Sequence, residues 1–167
     1  MTDVTPISKQ QRQVLWLQDQ KPAGTNGGAS VVASLPDGQV RDLNTVRKNT
    51  IPGASLNATT GFFTLPAGTY TIQARSAYGG TNNRALILLF NETLGGRLLR
   101  GPHSGISNNT QADRPEFFGD FVVTATEELS IRQINAGASS PSGLGNIFGI
   151  GGNIEIFTDV FIEKVRS

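Results

Sequence analysis

The sequence predicts an all-β fold, an antiparallel two-sheet sandwich of the jelly-roll type, on three observations. The run at 65–74, Leu-Pro-Ala-Gly-Thr-Tyr-Thr-Ile-Gln-Ala, sets a Pro-x-Gly turn directly before an alternation of Tyr70, Ile72 and Ala74 against Thr69, Thr71 and Gln73. A period of two is the pattern of a half-buried strand. Twenty glycines, with asparagine and threonine in nearly every segment, supply turns at short intervals. Sustained helical periodicity is hard to find anywhere in the chain. At 167 residues the chain suits one domain built on one hydrophobic core.

Residues 1–12 are polar apart from Pro6 and a lone apolar Ile7, and read as an extended arm ahead of a domain spanning 13–167. A first strand is expected at 13–18, followed by the turn-forming stretch 19–28. Further strands are expected near 29–34 and, after Pro36-Asp37-Gly38, at 39–44. A short strand at 61–65 leads into the strand from Thr69 to about Tyr78. Residues 85–90, Ala-Leu-Ile-Leu-Leu-Phe, hold no polar break, which calls for cover on both faces: the second sheet on one, a neighbouring subunit as a candidate for the other. Strands at 97–101, 117–126, 129–135 and 153–165 complete the set, with 117–126 and 129–135 read as a hairpin around Glu127-Glu128. The glycine- and serine-rich stretch 137–146 reads as a flexible loop.

Fourteen Lys and Arg against thirteen Asp and Glu leave a net charge of +1, too small a field to gather phosphates, so nucleic acid is not an expected partner. Cysteine is absent and His103 is the one histidine, which excludes disulfide scaffolds, thiolate chemistry and most histidine metal clusters. No cofactor is expected. The first residues carry no apolar leader, and no stretch reaches the ~18 apolar residues of a membrane span, so membrane insertion is not expected either.

The motifs that invite chemistry have simpler readings. Residues 143–152 are glycine-rich, but no Lys-Ser/Thr pair follows them and a strand stands where a phosphate site needs a helix. His103 and Ser104 are adjacent and in an extended chain point to opposite faces, so they do not form a base and its nucleophile. Glu127-Glu128, Asp113, Glu116 and Asp120 read as a solvated rim, with a calcium site near a threefold axis as the minority alternative. Arg41, Arg47 and Lys48 form a small basic cluster suited to a subunit, capsid or host-surface contact. Trp16 has two open placements, core or subunit contact, and with Leu17 it makes the first strand apolar on both faces. Phe157 and Phe161 share a phase beside Glu155, Asp159 and Glu163, while Ile154, Ile156, Val160 and Ile162 fill the other. Trp16, Leu17, Phe157 and Phe161 are therefore the candidate subunit-interface residues.

The segments Leu65 to Tyr70, Leu43-Asn44-Thr45, Ile51 to Leu56 and Ile154 to Thr158 together give the chain, over about 13–165, a resemblance to a known group of domains. It resembles the jelly-roll domains of bacteriophage virion proteins, especially tail-fibre tips, which are similar in fold to the globular heads of the complement and tumour-necrosis-factor superfamily. The resemblance implies a homotrimer packed round a threefold axis and a structural or receptor-binding role without catalysis. Tail-fibre proteins usually carry such a domain behind a long shaft, whereas only a dozen residues precede it here. The expectation is a capsid decoration or cement protein located in the virion, assembled in the host cytoplasm. It would be anchored to the major capsid protein or a tail component through Pro6, Ile7, Lys9 and Arg12. The alternative is a tail-fibre or receptor-binding head that attaches to the host surface through its loops.

Overall fold

The computed structural model describes residues 12–30, 37–78, 84–102, 104–105, 114–136, 143–145 and 153–165. Among them are twelve strands and no helix: β1 (Val14–Lys21), β2 (Gln39–Val40), β3 (Thr45–Asn49), β4 (Ser55–Asn57), β5 (Phe62–Leu65), β6 (Gly68–Ser76), β7 (Arg84–Asn91), β8 (Gly96–Arg100), β9 (Ser104–Gly105), β10 (Glu116–Val123), β11 (Glu127–Ala136) and β12 (Glu155–Val165). They form two antiparallel sheets. One runs β10-β6-β12-β1-β3; the other runs β4-β5-β11-β7-β8, with β2 beside β11 and β9 beside β7. This is the jelly-roll sandwich the alternation predicts.

The alternation in β6 does what its period requires. Tyr70, Ile72, Ala74 and Ser76 turn inward and are buried, while Thr69, Gln73 and Arg75 are exposed. The inner residues of the first sheet, among them Leu15, Leu17, Phe117, Phe121, Val160 and Ile162, meet Phe63, Leu65, Ile87, Leu89, Leu129 and Ile131 of the second. Tyr70 stacks on Phe121 with ring centroids 5.5 Å apart, and its hydroxyl donates to the Pro66 carbonyl at 2.6 Å, so the motif turn is tied to the strand it launches.

Several expectations are corrected. The strands at 117–126 and 129–135 are not a hairpin: β10 pairs with β6 and β11 with β5 and β7, so the turn between them passes from one sheet to the other. Glu127 is no solvated rim residue. It is buried at that crossing, accepting hydrogen bonds from the Thr124 backbone and hydroxyl and from Asn91 Nδ2. Burial alone would raise its carboxyl, but these donors hold it below the usual range. The expected strand at 39–44 ends at Val40, because the chain crosses between the sheets there: Arg41 N–H still donates to the Ile131 carbonyl of β11, Asn44 N–H already donates to the Gln18 carbonyl of β1, and β3 begins only at Thr45. The second face of β7, made by Leu86, Leu88 and Phe90, is buried within the single chain, so no neighbouring subunit is needed to cover it. The Arg132 guanidinium lies 3.8 Å from the Phe90 ring centroid and is clamped by Glu92. The expected strand near 29–34 lies largely outside the described residues.

Arg41 leaves the basic surface cluster it was expected to join. Fully buried between the sheets, it donates to Thr158 Oγ1 (2.7 Å), the Leu144 carbonyl (2.9 Å), Gln133 Oε1 (3.3 Å) and Asp19 Oδ2 (3.1 Å). Residues 143–145, within the stretch read as a flexible loop, are buried here, and Leu144 and Gly145 exchange backbone hydrogen bonds with Gly28 and Gly27. Gly61, at φ +73°, makes the close approach beneath Arg41: a Cβ there would stand 2.4 Å from the Arg41 carbonyl oxygen.

Candidate interaction face

The outer face of the β10-β6-β12-β1-β3 sheet is built in register rows. Phe118, Gln73, Phe161, Trp16 and Lys48 stand side by side across all five strands. The row on one side is Glu116, Arg75, Asp159, Gln18 and Thr45; on the other it is Asp120, Thr71, Glu163 and Val14, followed by Val122, Thr69 and Val165. Phe118 is 74% exposed, Val122 59% and Phe161 38%, and Ile156 and Val165 are exposed on β12 as well, whereas Val46 on β3 pairs with the inward Leu17 and is exposed at the sheet edge rather than on this face. The core is already closed without these side chains. They form a mixed face in which apolar side chains alternate with polar ones such as Gln73, Arg75 and Asp159, the composition of a protein–protein contact.

Asp159 organises the centre. Its Oδ1 accepts from Trp16 Nε1 at 2.6 Å and Gln18 Nε2 at 2.9 Å, and its Oδ2 pairs with Arg75 Nη2 at 2.9 Å. Burial pushes this carboxyl up, but the three donors outweigh it and hold it below the usual carboxylate range. The Trp16 indole is thus fixed by its N–H, with the Arg47 guanidinium 5.8 Å from its ring centroid. Beside this hub a cleft of about 300 Å³ is lined by Arg75, Arg114, Glu155, Ile156 and Asp159 among others.

Of the four candidate interface residues, two stand on this face. Trp16 and Phe161 are neighbours in one row; Leu17 is wholly buried in the core, and Phe157 is buried too. Phe157 falls out of phase with Phe161 because of a β-bulge. Asp19 pairs with Thr158 but Gln20 pairs with Ile156, so Phe157 is the extra residue. It turns inward beside Thr158, and a Cβ on Gly145 would meet its ring at 2.3 Å. Of the arm residues, Pro6, Ile7 and Lys9 lie outside the described residues. Arg12 is exposed and sits 3.6 Å from Glu163 on the central strand β12.

Phe118 and Val122 were missed by sequence reasoning, although β10 carries the signal that was used for β12. Phe117, Phe121 and Val123 fill its inner phase, while Phe118 and Val122 leave large apolar groups in the outer one. Among the described residues no three His, Cys, Asp or Glu converge to hold a metal ion. Glu116 and Asp120 stand outward on β10, and His103 and Asp113 lie outside the described residues.

No protein-family model matches the chain, and no curated protein matches it in sequence. Among solved structures it is similar to the globular domain of the zebrafish complement 1qA protein, with a TM-score of 0.55 and 10% identity over 93% of this chain and 98% of that one. It is also similar to murine APRIL, with a TM-score of 0.56 and 13% identity over 92% of this chain and 99% of that one. At such identities the likeness is one of fold.

Proposed function

We propose that this chain is a non-enzymatic structural module that self-associates as a homotrimer through the outer face of the β10-β6-β12-β1-β3 sheet. The observation that carries the reading is the aromatic row Phe118, Phe161 and Trp16, displayed on a sheet whose other side already fills a closed core. Exposed apolar surface of this kind costs free energy in water unless another chain covers it. The jelly-roll fold shared with the complement 1qA head and APRIL is compatible with that role.

Within this class we assign the chain to the bacteriophage virion, as a decoration or cement protein that binds the assembled capsid and stabilises it by mass action. This finer assignment is supported by the resemblance of residues 43–45, 51–56, 65–70 and 154–158 to virion jelly rolls. Anchoring falls to the arm at 1–12. The second reading, a receptor-binding head on a tail or fibre, places recognition in the segments 101–116 and 136–152.

Quantitative mass spectrometry of purified particles, counted against the major capsid protein, separates the two. Copies in proportion to the capsid lattice support decoration, and a handful per particle supports a tail position. Absence from the particle overturns both. Deleting residues 2–12 is expected to leave a folded trimer that no longer binds particles; normal occupancy after deletion removes the arm from the account.

A further inference from the structure

The outer face carries opposite charge at its two edges. On the edge strand β10 the outward residues are Glu116, Phe118, Asp120 and Val122, acid alternating with apolar. On the opposite edge strand, β3, Val46, Arg47 and Lys48 are exposed, Arg47 being the extra residue of a second bulge opposite the Trp16–Leu17 step. The charges between the edges are compensated within the chain: Arg75 pairs with Asp159 and Arg12 with Glu163. Those on the edges are not. Glu116, Arg47 and Lys48 form no ion pair among the described residues, and Asp120 accepts only from Thr71 Oγ1.

The two edges cannot neutralise each other in one molecule. Four inter-strand steps of ~4.8 Å put them about 19 Å apart, more than twice the ~8 Å screening length at physiological ionic strength. A second copy of the same chain brings the complementary edge at contact distance. Like edges brought together would set acid against acid and base against base, which is repulsive.

We propose that the seam between neighbouring copies joins unlike edges, with Glu116 and Asp120 on β10 of one subunit facing Arg47 and Lys48 on β3 of the next. The inference rests on the reading that this face is the self-association surface, and it specifies how the copies are oriented. Phe118, the most exposed aromatic of the face, is thereby carried toward Trp16 of the neighbour, whose indole Asp159 already holds. A contact of this heterologous kind repeats round a ring and leaves no edge unpaired when the ring closes.

Charge exchange in the full chain tests it. One variant reverses the basic edge (Arg47→Glu with Lys48→Glu), a second reverses the acidic edge (Glu116→Lys with Asp120→Lys), and a third carries all four changes. Circular dichroism confirms folding, and sedimentation reads assembly. Each single-edge variant is expected to dissociate at a concentration roughly a hundredfold or more above that of the parent. The fourfold variant is expected to assemble again, and not to mix with parent chains. Single-edge variants that assemble like the parent, or a folded fourfold variant that stays dissociated, overturn the seam. Phe161→Glu, at the centre of the face and away from both edges, separates this from the broader reading. If it dissociates while the edge variants do not, the face stands and the seam falls; if it also assembles normally, the face falls with it.

Discussion

A guanidinium with no water around it is costly unless its donors find partners, and Arg41 uses four of its five N–H groups on acceptors from four separate parts of the chain. Thr158, Gln133, Asp19 and the Leu144 carbonyl all accept from it, joining both sheets to the 143–145 segment. Burial pushes the Asp19 carboxyl up and the Arg41 guanidinium down, while their mutual attraction and Lys21, 3.4 Å from Asp19 Oδ1, oppose that. Asp19→Ala is therefore predicted to destabilise the fold by about 3–5 kcal/mol, since it leaves Arg41 buried without a counter-charge. Urea denaturation measures this, and an unchanged midpoint would contradict the network. Asp159 makes a separate pH prediction. A carboxyl whose folded pKa lies below its unfolded value stabilises the fold above the unfolded value and loses that contribution as pH falls through the folded one. Stability should thus decline as pH drops below the ordinary carboxylate range, and more shallowly in Asp159→Asn; parallel pH profiles would remove Asp159 as a cause. None of this was legible in the sequence, where Arg41 looks like its exposed neighbours Arg47 and Lys48. Only the folded chain brings residues 19, 133, 144 and 158 to it.

Strands were legible where one local pattern decides them. β6 announces itself through a turn and a clean alternation, and β7, β11 and β12 through their apolar content. What the pattern does not carry is a change of phase or of sheet. The extra residue at Phe157 reverses the facing of everything before it on β12, so a phase count starting at Phe161 goes wrong four residues upstream. The β10–β11 turn fails differently, since a two-strand pattern with a short connection reads the same whether the strands pair or divide between sheets. Glu127, buried at that turn with Asn91 and Thr124, is the residue that marks the crossing. The turn before β5 makes the element-scale prediction. Gly61→Ala combines a left-handed backbone with a Cβ 2.4 Å from the Arg41 carbonyl oxygen, so a loss of more than about 1 kcal/mol is expected. A melting temperature equal to the parent's would show that this approach relaxes without cost.

At the scale of the whole molecule, the fold and the role part company. The residues that carry the virion resemblance are used by the fold itself: Leu65 and Tyr70 lie in the core and Pro66 receives the Tyr70 hydroxyl. They make a jelly roll recognisable without fixing what it is for, which is why the architecture was readable and the role was not. The proposed role rests on the outer face of the first sheet, where Phe118 and Phe161 are exposed and take no part in the closed core. Phe118→Glu is expected to weaken assembly while leaving the β-sheet spectrum and the monomer's stability unchanged, since the side chain is largely in water; intact assembly would place the contact elsewhere. The most direct test of the account is the molar mass of the full chain by light scattering at micromolar concentration. A species of three times the 17.7 kDa chain mass is predicted. A stable monomer would contradict the reading of this face as the surface on which the protein assembles.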